Sequence, residues 1–210
     1  MNPDARIWDR IAERYSRKPV PDQAVYQRKL EITRTYLRPD MDLLEIGCGT
    51  GSTAIAHAPY VRRVRATDLS PRMIEIARDK VAAAGMDNVA CEVAGADAVE
   101  APDASVDAVL ALSLLHLVID RDATLARIHR MLKPDGLLVA STPCLDDFAR
   151  WFRLVGPLGR RLGLIPGVRS FTRLELEASL EAAGFSLADA WQPSPTTGVF
   201  HIAIKAEPGQ

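Results

Sequence analysis

The sequence predicts an α/β fold built around a mostly parallel β-sheet, and two patterns carry this prediction. From about residue 40 onward, short apolar segments alternate with segments that have helical spacing of apolar residues. Strands that alternate with helices are typical of parallel sheets with right-handed crossovers. In addition, the segment 106–112 is apolar almost throughout, as expected for a strand that is buried on both faces.

Two helices are predicted ahead of the first strand. Ile7, Ile11 and Tyr15 recur on one face of the first helix, which indicates an amphipathic element. The proline-containing run 16–21 separates this helix from the second one. We therefore expect residues 1–40 to form an N-terminal helical cap.

Seven strands and four intervening helices are predicted in the rest of the chain. The helices begin near Ser52, Ser70, Arg121 and Thr172, and the hydroxyls of Ser70 and Thr172 are expected to cap their helices. The last two strands are expected to pair antiparallel. The predicted strands are 43–46, 64–67, 89–93, 106–112, 137–141, 185–191 and 199–206.

Size, charge and cysteine content narrow the class of protein. With 210 residues the chain is expected to form one domain over 1–210. Its 26 basic and 27 acidic residues argue against a protein dedicated to wrapping nucleic acid. The three cysteines match no zinc-binding spacing, so we expect no metal site. Because disulfides are rare in reducing compartments, we expect reduced thiols and a cytoplasmic location. The least polar stretch, 108–119, is too short for a bilayer, which needs about 20 residues.

The strongest functional signal is a run of alternating glycines directly after the first predicted strand. Gly47, Gly49 and Gly51 follow Glu45, and a helix is predicted from Ser52. Glycines allow the backbone to turn sharply and to approach a ligand closely. The N-terminus of the following helix favours an anionic group.

Acidic residues follow the next two strands at positions that suit a nucleoside. Asp68 ends the second strand, and Asp97 follows the third. In an open parallel sheet, such strand ends line one ligand-binding crevice. A carboxylate can accept two hydrogen bonds from a ribose diol, or one from an adenine amino group.

Together these motifs resemble those of class I S-adenosylmethionine-dependent methyltransferases. The glycine motif 45–51 (EIGCGTG) is similar to the family's first motif, Asp68 to its ribose-binding acid and Asp97 to its adenine-binding acid. The segment 131–137 (MLKPDGL) resembles the family's turn into the fifth strand. The resemblance covers residues 40–143 best and is nearest to the small-molecule branch related to quinone-biosynthesis methyltransferases. It implies a Rossmann-like, seven-stranded, mostly parallel sheet with helices on both faces and an antiparallel last strand.

The resemblance also implies which residues contact S-adenosylmethionine. The glycine loop with Cys48 would approach the methionine end, Glu45 would lie near the amino group, and Leu69 would pack on the adenine. Ser113 and Leu114 would contribute backbone contacts. Ala96 stands where the family commonly has glycine, so this position departs from the family's pattern. The predicted cofactor-binding residues are Tyr15, Glu45, Gly47, Cys48, Gly49, Gly51, Asp68, Leu69, Ala96, Asp97, Ser113 and Leu114.

A tyrosine and a histidine are candidates for specific roles near the cofactor. In similar enzymes a tyrosine on an N-terminal helix reaches the methionine carboxylate; Tyr15 matches it, with Tyr26 as the second choice. The alternative is that Tyr15 packs in the apolar stripe of its helix. His116, after the fourth strand, is the candidate general base, since an unperturbed imidazole titrates near pH 6.5. The alternative is that His116 only packs in the crevice wall.

The region after the fifth strand has an unusual composition. Residues 148–174 contain six arginines and no acidic residue, mixed with large apolar side chains. We expect the insertion at 145–170 to form short helices and a lid, giving an apolar pocket with a basic rim for an anionic or lipid-like acceptor. A basic amphipathic stretch can also touch a membrane surface, and a solvated cap with ordinary arginines is the third reading.

Three functions remain open from the sequence, and methyl transfer to a small-molecule acceptor is favoured. A non-catalytic protein that binds S-adenosylmethionine is the first alternative. An NAD(P)-dependent oxidoreductase is the second, but its G-x-G-x-x-G fingerprint would need glycine where Ser52 stands. Residues 111–114 (ALSL) lack the motif of methyltransferases that modify adenine or cytosine in nucleic acids. The acceptor's identity and the oligomeric state do not follow from the sequence.

Overall fold

The computed structural model describes residues 3–149, 151–161 and 165–206. The chain is divided into two compact units, Met1–Val99 and Glu100–Gln210. The organisation of residues 1–210 as one domain stays a prediction.

The first unit contains a parallel sheet of three strands with helices. Strand β2 pairs in parallel with β1 on one side and with β3 on the other. A short 3-10 turn, Ala58–Tyr60, lies between the third helix and β2. The elements are α1 (Pro3–Arg17), α2 (Gln23–Tyr36), β1 (Asp42–Ile46), α3 (Ser52–His57), β2 (Arg63–Asp68), α4 (Pro71–Ala83) and β3 (Val89–Val93).

The second unit contains the other four strands, of which the last two run antiparallel to their neighbours. Strand β4 pairs in parallel with β5, whereas β7 is antiparallel to both β5 and β6. The elements are β4 (Val106–Leu112), α5 (Arg121–Met131), β5 (Leu132–Thr142), α6 (Leu145–Phe148), α7 (Phe152–Arg161), α8 (Arg173–Ala182), β6 (Phe185–Trp191) and β7 (Val199–Lys205). The predicted fold class, a seven-stranded, mostly parallel sheet with flanking helices, is therefore confirmed.

Local sequence signals explain where several helices begin. The Ser70 hydroxyl accepts a hydrogen bond from the Met73 N–H and so caps α4, as predicted. Thr172 and Glu175 form a reciprocal capping box at the start of α8. Such caps satisfy N–H groups that have no partner inside the helix.

Strand β5 begins earlier than predicted. We expected it to start at Leu137, after a proline- and glycine-containing turn. Instead, Val106 of β4 already pairs with Leu132, and Ala108 pairs with Leu137. Residues 133–136 therefore form a bulge inside the strand, because the chain bends there without leaving the sheet. The other predicted strands are confirmed to within one or two residues.

Helix α1 buries Ile7 of the predicted stripe, but its described contacts with α4 involve other residues. Ala12, Met73 and Ile76 form a buried cluster, and Trp8 packs against it. Tyr15, which we considered as part of the apolar stripe, is 51% exposed instead. The buried face is therefore rotated away from Tyr15, which leaves its phenol free for another role.

The region after β5 contains two short helices, α6 and α7, as predicted. Arg150 and residues 162–164 lie outside the described residues, as do several side chains of α7, so the lid stays a prediction. No helix in the described part of the chain is long and apolar enough to cross a membrane. Cys48, Cys91 and Cys144 are buried free thiols.

Candidate functional site

The loop between β1 and α3 has a backbone that requires its glycines. Gly47, Gly49 and Gly51 have φ angles of 74°, 54° and 76°, which side-chain-bearing residues rarely adopt. The N–H groups of Gly47 and Cys48 both donate to the carbonyl oxygen of Thr67, at 2.7 and 2.9 Å. The end of β2 thus holds the start of the loop in place.

Gly51 also permits a close approach between two helices. It precedes α3, and a Cβ atom built on it would lie 3.0 Å from the Cβ atom of Ala77 in α4. Real Cβ contacts are seldom so short. The third glycine is therefore needed for packing as well as for conformation.

Asp68 fastens the middle of the glycine loop to the end of β2. Its carboxylate accepts hydrogen bonds from the Gly49 N–H at 2.9 Å and from the Ser70 N–H at 2.9 Å. Burial raises the pKa of Asp68, the two N–H donors oppose that rise, and the charge of Asp9 adds to it. Each carboxylate oxygen can accept more than one hydrogen bond, so Asp68 keeps acceptor capacity for a diol.

Glu45 places a second carboxyl group beneath the same loop. The side chain is 3% exposed, and its Oε2 atom has no hydrogen-bond partner within the described part of the chain. Burial and the nearby charge of Asp68 raise the pKa of Glu45 to about 8, although the Ala54 N–H partly opposes this. A buried acceptor without a partner is costly, and it suits a cationic ligand group such as an ammonium. The residues present therefore fit the amino acid end of S-adenosylmethionine.

Tyr15 reaches the glycine loop from α1. A Cβ atom built on Gly49 would lie 3.7 Å from the Cε1 atom of the Tyr15 ring. The ring packs edge-on against Trp8, with centroids 6.2 Å apart. Partial burial raises the pKa of Tyr15, and so do the charges of Asp68 and Glu45. The phenol is therefore neutral at pH 7 and can donate a hydrogen bond.

Tyr26, the second choice, is placed differently. Its hydroxyl lies 3.4 Å from the Thr53 hydroxyl on α3. This contact ties α2 to α3 and does not involve the glycine loop. The geometry therefore favours Tyr15 over Tyr26 as the tyrosine beside the loop.

Leu69, Ala96 and Asp97 come together where β2 and β3 end. The Ala94 N–H donates to the Asp68 carbonyl at 2.9 Å, which holds the loop after β3 beside the loop after β2. A Cβ atom built on Gly95 would lie 2.7 Å from Asp97 Oδ1 and 3.9 Å from Leu69 Cβ. An apolar side chain and a carboxylate thus flank the same glycine, as an adenine pocket would require.

Ser113 and Leu114 follow β4 in the second unit. Ser113 has a φ of 54°, and its N–H donates to the Ser141 carbonyl at 2.6 Å. Leu114 is buried. The chain therefore makes a tight, hydrogen-bonded turn at the carboxyl end of β4.

His116 lies in that turn with an altered basicity. Its Nδ1 atom is buried and has no hydrogen-bond partner among the described residues. Its carbonyl oxygen accepts from the Arg169 N–H at 2.7 Å. Burial lowers the pKa of His116 to about 4, below the value of about 6.5 expected for a free imidazole. The ring is therefore neutral at pH 7 and only weakly basic.

Two residues that support the start of α4 and the glycine loop were missed by the sequence analysis. Asp9 of α1 accepts from the Ser70 hydroxyl at 2.5 Å and from the Arg72 N–H at 3.1 Å. Lys80 of α4 donates to the Thr50 hydroxyl at 2.8 Å. Both contacts join distant parts of the chain, and no local motif signals them. Among the described residues, no cluster of three His, Cys, Asp or Glu side chains could hold a metal ion.

Comparison with known proteins identifies relatives of this chain. Residues 44–140 match a family model described as a methyltransferase domain. A demethylmenaquinone methyltransferase of Symbiobacterium thermophilum is 30% identical over 157 residues, which cover 70% of this chain and 61% of that protein. The chain spans about half the length of other curated relatives.

Solved structures show a similar fold. The YcgJ protein of Bacillus subtilis has a TM-score of 0.70 at 18% identity, covering 87% of this chain and all (100%) of that one. The [4+2]-cyclase SpnF has a TM-score of 0.72 at 22% identity, covering 86% and 81% of the two chains. At such identities the likeness concerns the fold alone.

Replacing Gly51 with alanine should destabilise the protein by about 1–3 kcal/mol, because the left-handed backbone and the contact with Ala77 both oppose a Cβ atom. Urea unfolding followed by circular dichroism measures this change. Gly85→Ala is the matched control, since Gly85 has a φ of +64° but nothing within 4 Å of its Cβ position. Equal losses in the two variants would contradict the proposed packing role of Gly51.

Proposed function

Residues 44–140 of this chain match the family model of a methyltransferase domain, and from that match we propose that the protein transfers a methyl group from S-adenosylmethionine to a small-molecule acceptor. The single observation that carries the proposal is the glycine loop fastened to Asp68 at Gly49, with a Glu45 oxygen beneath it that has no partner among the residues that the structure describes. The predicted resemblance to S-adenosylmethionine-dependent methyltransferases is confirmed at the level of the family.

In the proposed complex, the first unit binds both ends of the cofactor. Asp68 uses its remaining acceptor capacity for the ribose hydroxyls, and Glu45 accepts from the ammonium group. Tyr15 donates to the methionine carboxylate. The loop residues Gly47, Cys48, Gly49 and Gly51 approach the methionine end through their backbone.

The adenine is proposed to lie where the ends of β2 and β3 meet. Leu69 packs on the ring face, and Asp97 accepts from the amino group. Ala96 contributes backbone contacts, although its backbone lacks the conformational freedom of the glycine that the family commonly has at this position.

The bound sulfonium supplies an already activated methyl group, so the protein's task is mainly to align the acceptor and exclude water. We propose His116 as the general base where the acceptor must lose a proton. Its burial keeps it in the neutral, proton-accepting form at pH 7 but makes it a weak base. Packing in the crevice wall remains the alternative role for His116.

A second candidate function is binding of S-adenosylmethionine without methyl transfer. It stays a candidate because one fold can carry unrelated reactions, so that cofactor binding by itself does not establish methyl transfer. Release of S-adenosylhomocysteine in the presence of acceptors separates the two functions. The NAD(P)-dependent alternative loses support, because Ser52 begins α3 where the third glycine of that fingerprint would stand.

The remaining proposals concern surroundings and partners. We propose a cytoplasmic location, supported by the three buried free thiols. A contact between residues 148–174 and a membrane surface is proposed from the basic composition of this segment. The net charge of −1 is close to zero, which argues against a nucleic-acid partner.

Asp68→Ala should weaken binding of S-adenosylhomocysteine by about 1–3 kcal/mol, because the ribose contact and the anchor of Gly49 are both lost. Isothermal titration calorimetry gives the affinity, and circular dichroism checks folding. Asp79→Ala removes an equal charge from an exposed position of α4 and should bind normally. An unchanged affinity in folded Asp68→Ala would refute the assigned role.

Cofactor binding at pH 7 should release protons from Glu45. With its pKa near 8 the free carboxyl is mostly protonated at pH 7, and a neighbouring ammonium favours the ionised form. Affinity for S-adenosylhomocysteine should therefore rise with pH between about 6 and 8. Calorimetry in phosphate and Tris buffers measures the protons released, and Glu45→Gln should release fewer. The same proton release in both proteins would show that Glu45 does not titrate on binding.

His116→Asn should bind S-adenosylhomocysteine normally but turn over roughly 100-fold more slowly if the imidazole is the base. Because the pKa of His116 is about 4, turnover that depends on it should be flat between pH 6 and 8. The readout is S-adenosylhomocysteine release with a panel of phenol, quinol and carboxylate acceptors. Equal rates in the variant and the wild type would assign His116 to packing.

A further inference from the structure

Helix α1 has a second face that is not used for packing on α4. Ile11, Arg14 and Tyr15 lie at helical spacing on this face, and Lys18 directly follows the last helical residue. With Arg17 they line an open cavity of about 580 Å³. Small-molecule sites usually measure about 300–1,000 Å³, so the cavity has the size of such a site.

The described lining of this cavity is positively charged. It carries three cationic side chains and no acidic one. Glu13, the nearest acid on the helix, is paired with Arg72 of α4 instead. Within the described ranges, neither Arg14 nor Lys18 forms an ion pair. The described lining of the cavity is therefore complementary to an anionic ligand.

Tyr15 connects the cavity to the glycine loop. The same ring that lines the cavity lies beside the position of a Gly49 Cβ atom, at 3.7 Å. An occupant of the cavity would therefore contact the phenol that faces the proposed cofactor site. Ile11 and the ring of Tyr15 supply apolar surface for the body of that occupant.

We infer that this cavity binds the methyl acceptor, and that the acceptor is an aromatic or apolar molecule with an anionic group. The apolar body would pack on Ile11 and Tyr15, while a carboxylate, sulfonate or phosphate would pair with Arg14 and Lys18. This inference rests on the proposed function and deepens it, because it names the class of substrate. It places the acceptor's charge on α1 rather than on the arginine-rich segment after β5.

A matched pair of fluorescent probes tests the charge preference. 8-Anilinonaphthalene-1-sulfonate is anionic, and N-phenyl-1-naphthylamine is nearly the same molecule without the sulfonate. Both are titrated into the full chain, with and without saturating S-adenosylhomocysteine. We expect the sulfonate to bind more tightly. Arg14→Gln and Lys18→Gln should each weaken binding of the sulfonate roughly tenfold. The same variants should weaken binding of the neutral probe by less than about twofold.

The control variant is Arg6→Gln, which removes the same charge from an exposed position of α1 that does not line the cavity. It should bind both probes like the wild type. Equal binding of the two probes, or equal weakening of both in Arg14→Gln, would overturn the inference.

Calorimetry with S-adenosylhomocysteine separates this inference from the proposed function. Failure of the wild type to bind S-adenosylhomocysteine would refute the proposed function, while the probe titrations without that ligand would still decide the cavity's preference. A loss of S-adenosylhomocysteine affinity in Arg14→Gln or Lys18→Gln as large as the loss for the sulfonate would overturn the inference. The cations would then hold the cofactor's own carboxylate.

Discussion

The hydrogen bond from the Gly49 N–H to the Asp68 carboxylate organises the candidate site. It connects the loop after β1 to the end of β2 and keeps the loop in its left-handed conformation. The same carboxylate accepts from the Ser70 N–H, so one side chain sets both the glycine loop and the start of α4. Because burial raises the pKa of Asp68 and the N–H donors lower it again, the loop and the acid stabilise each other.

Helix α1 depends on the same junction. Ser70, held by Asp68, donates through its hydroxyl to Asp9 of α1, and Trp8 and Ala12 then pack on α4. This docking turns Tyr15 toward the loop and leaves Arg14 and Lys18 along an open cavity. The first unit therefore combines a candidate cofactor cradle with a cationic surface next to it, as the inferred anionic acceptor requires.

The parts of the site that were predictable are those encoded by backbone requirements. Alternate glycines followed by an acid at the next strand end reflect φ angles and strand topology, which a single sequence shows directly. The contacts of Asp9 and Lys80 depend on how α1 and α4 pack, and no local pattern encodes that. Likewise, the low pKa of His116 follows from burial, which a single sequence does not show. The early start of β5 depends on the pairing of Leu132 with Val106 of β4, which is also a contact between distant parts of the chain.

A crystal structure with S-adenosylhomocysteine bound tests the central claim most directly. We expect density for the ligand along Gly47–Gly51, with the ribose hydroxyls on Asp68, the ammonium group beside Glu45, and the bond from Gly49 to Asp68 intact. Well-ordered crystals grown at saturating ligand that show no density there, or that show the ligand elsewhere on the chain, would contradict the claim.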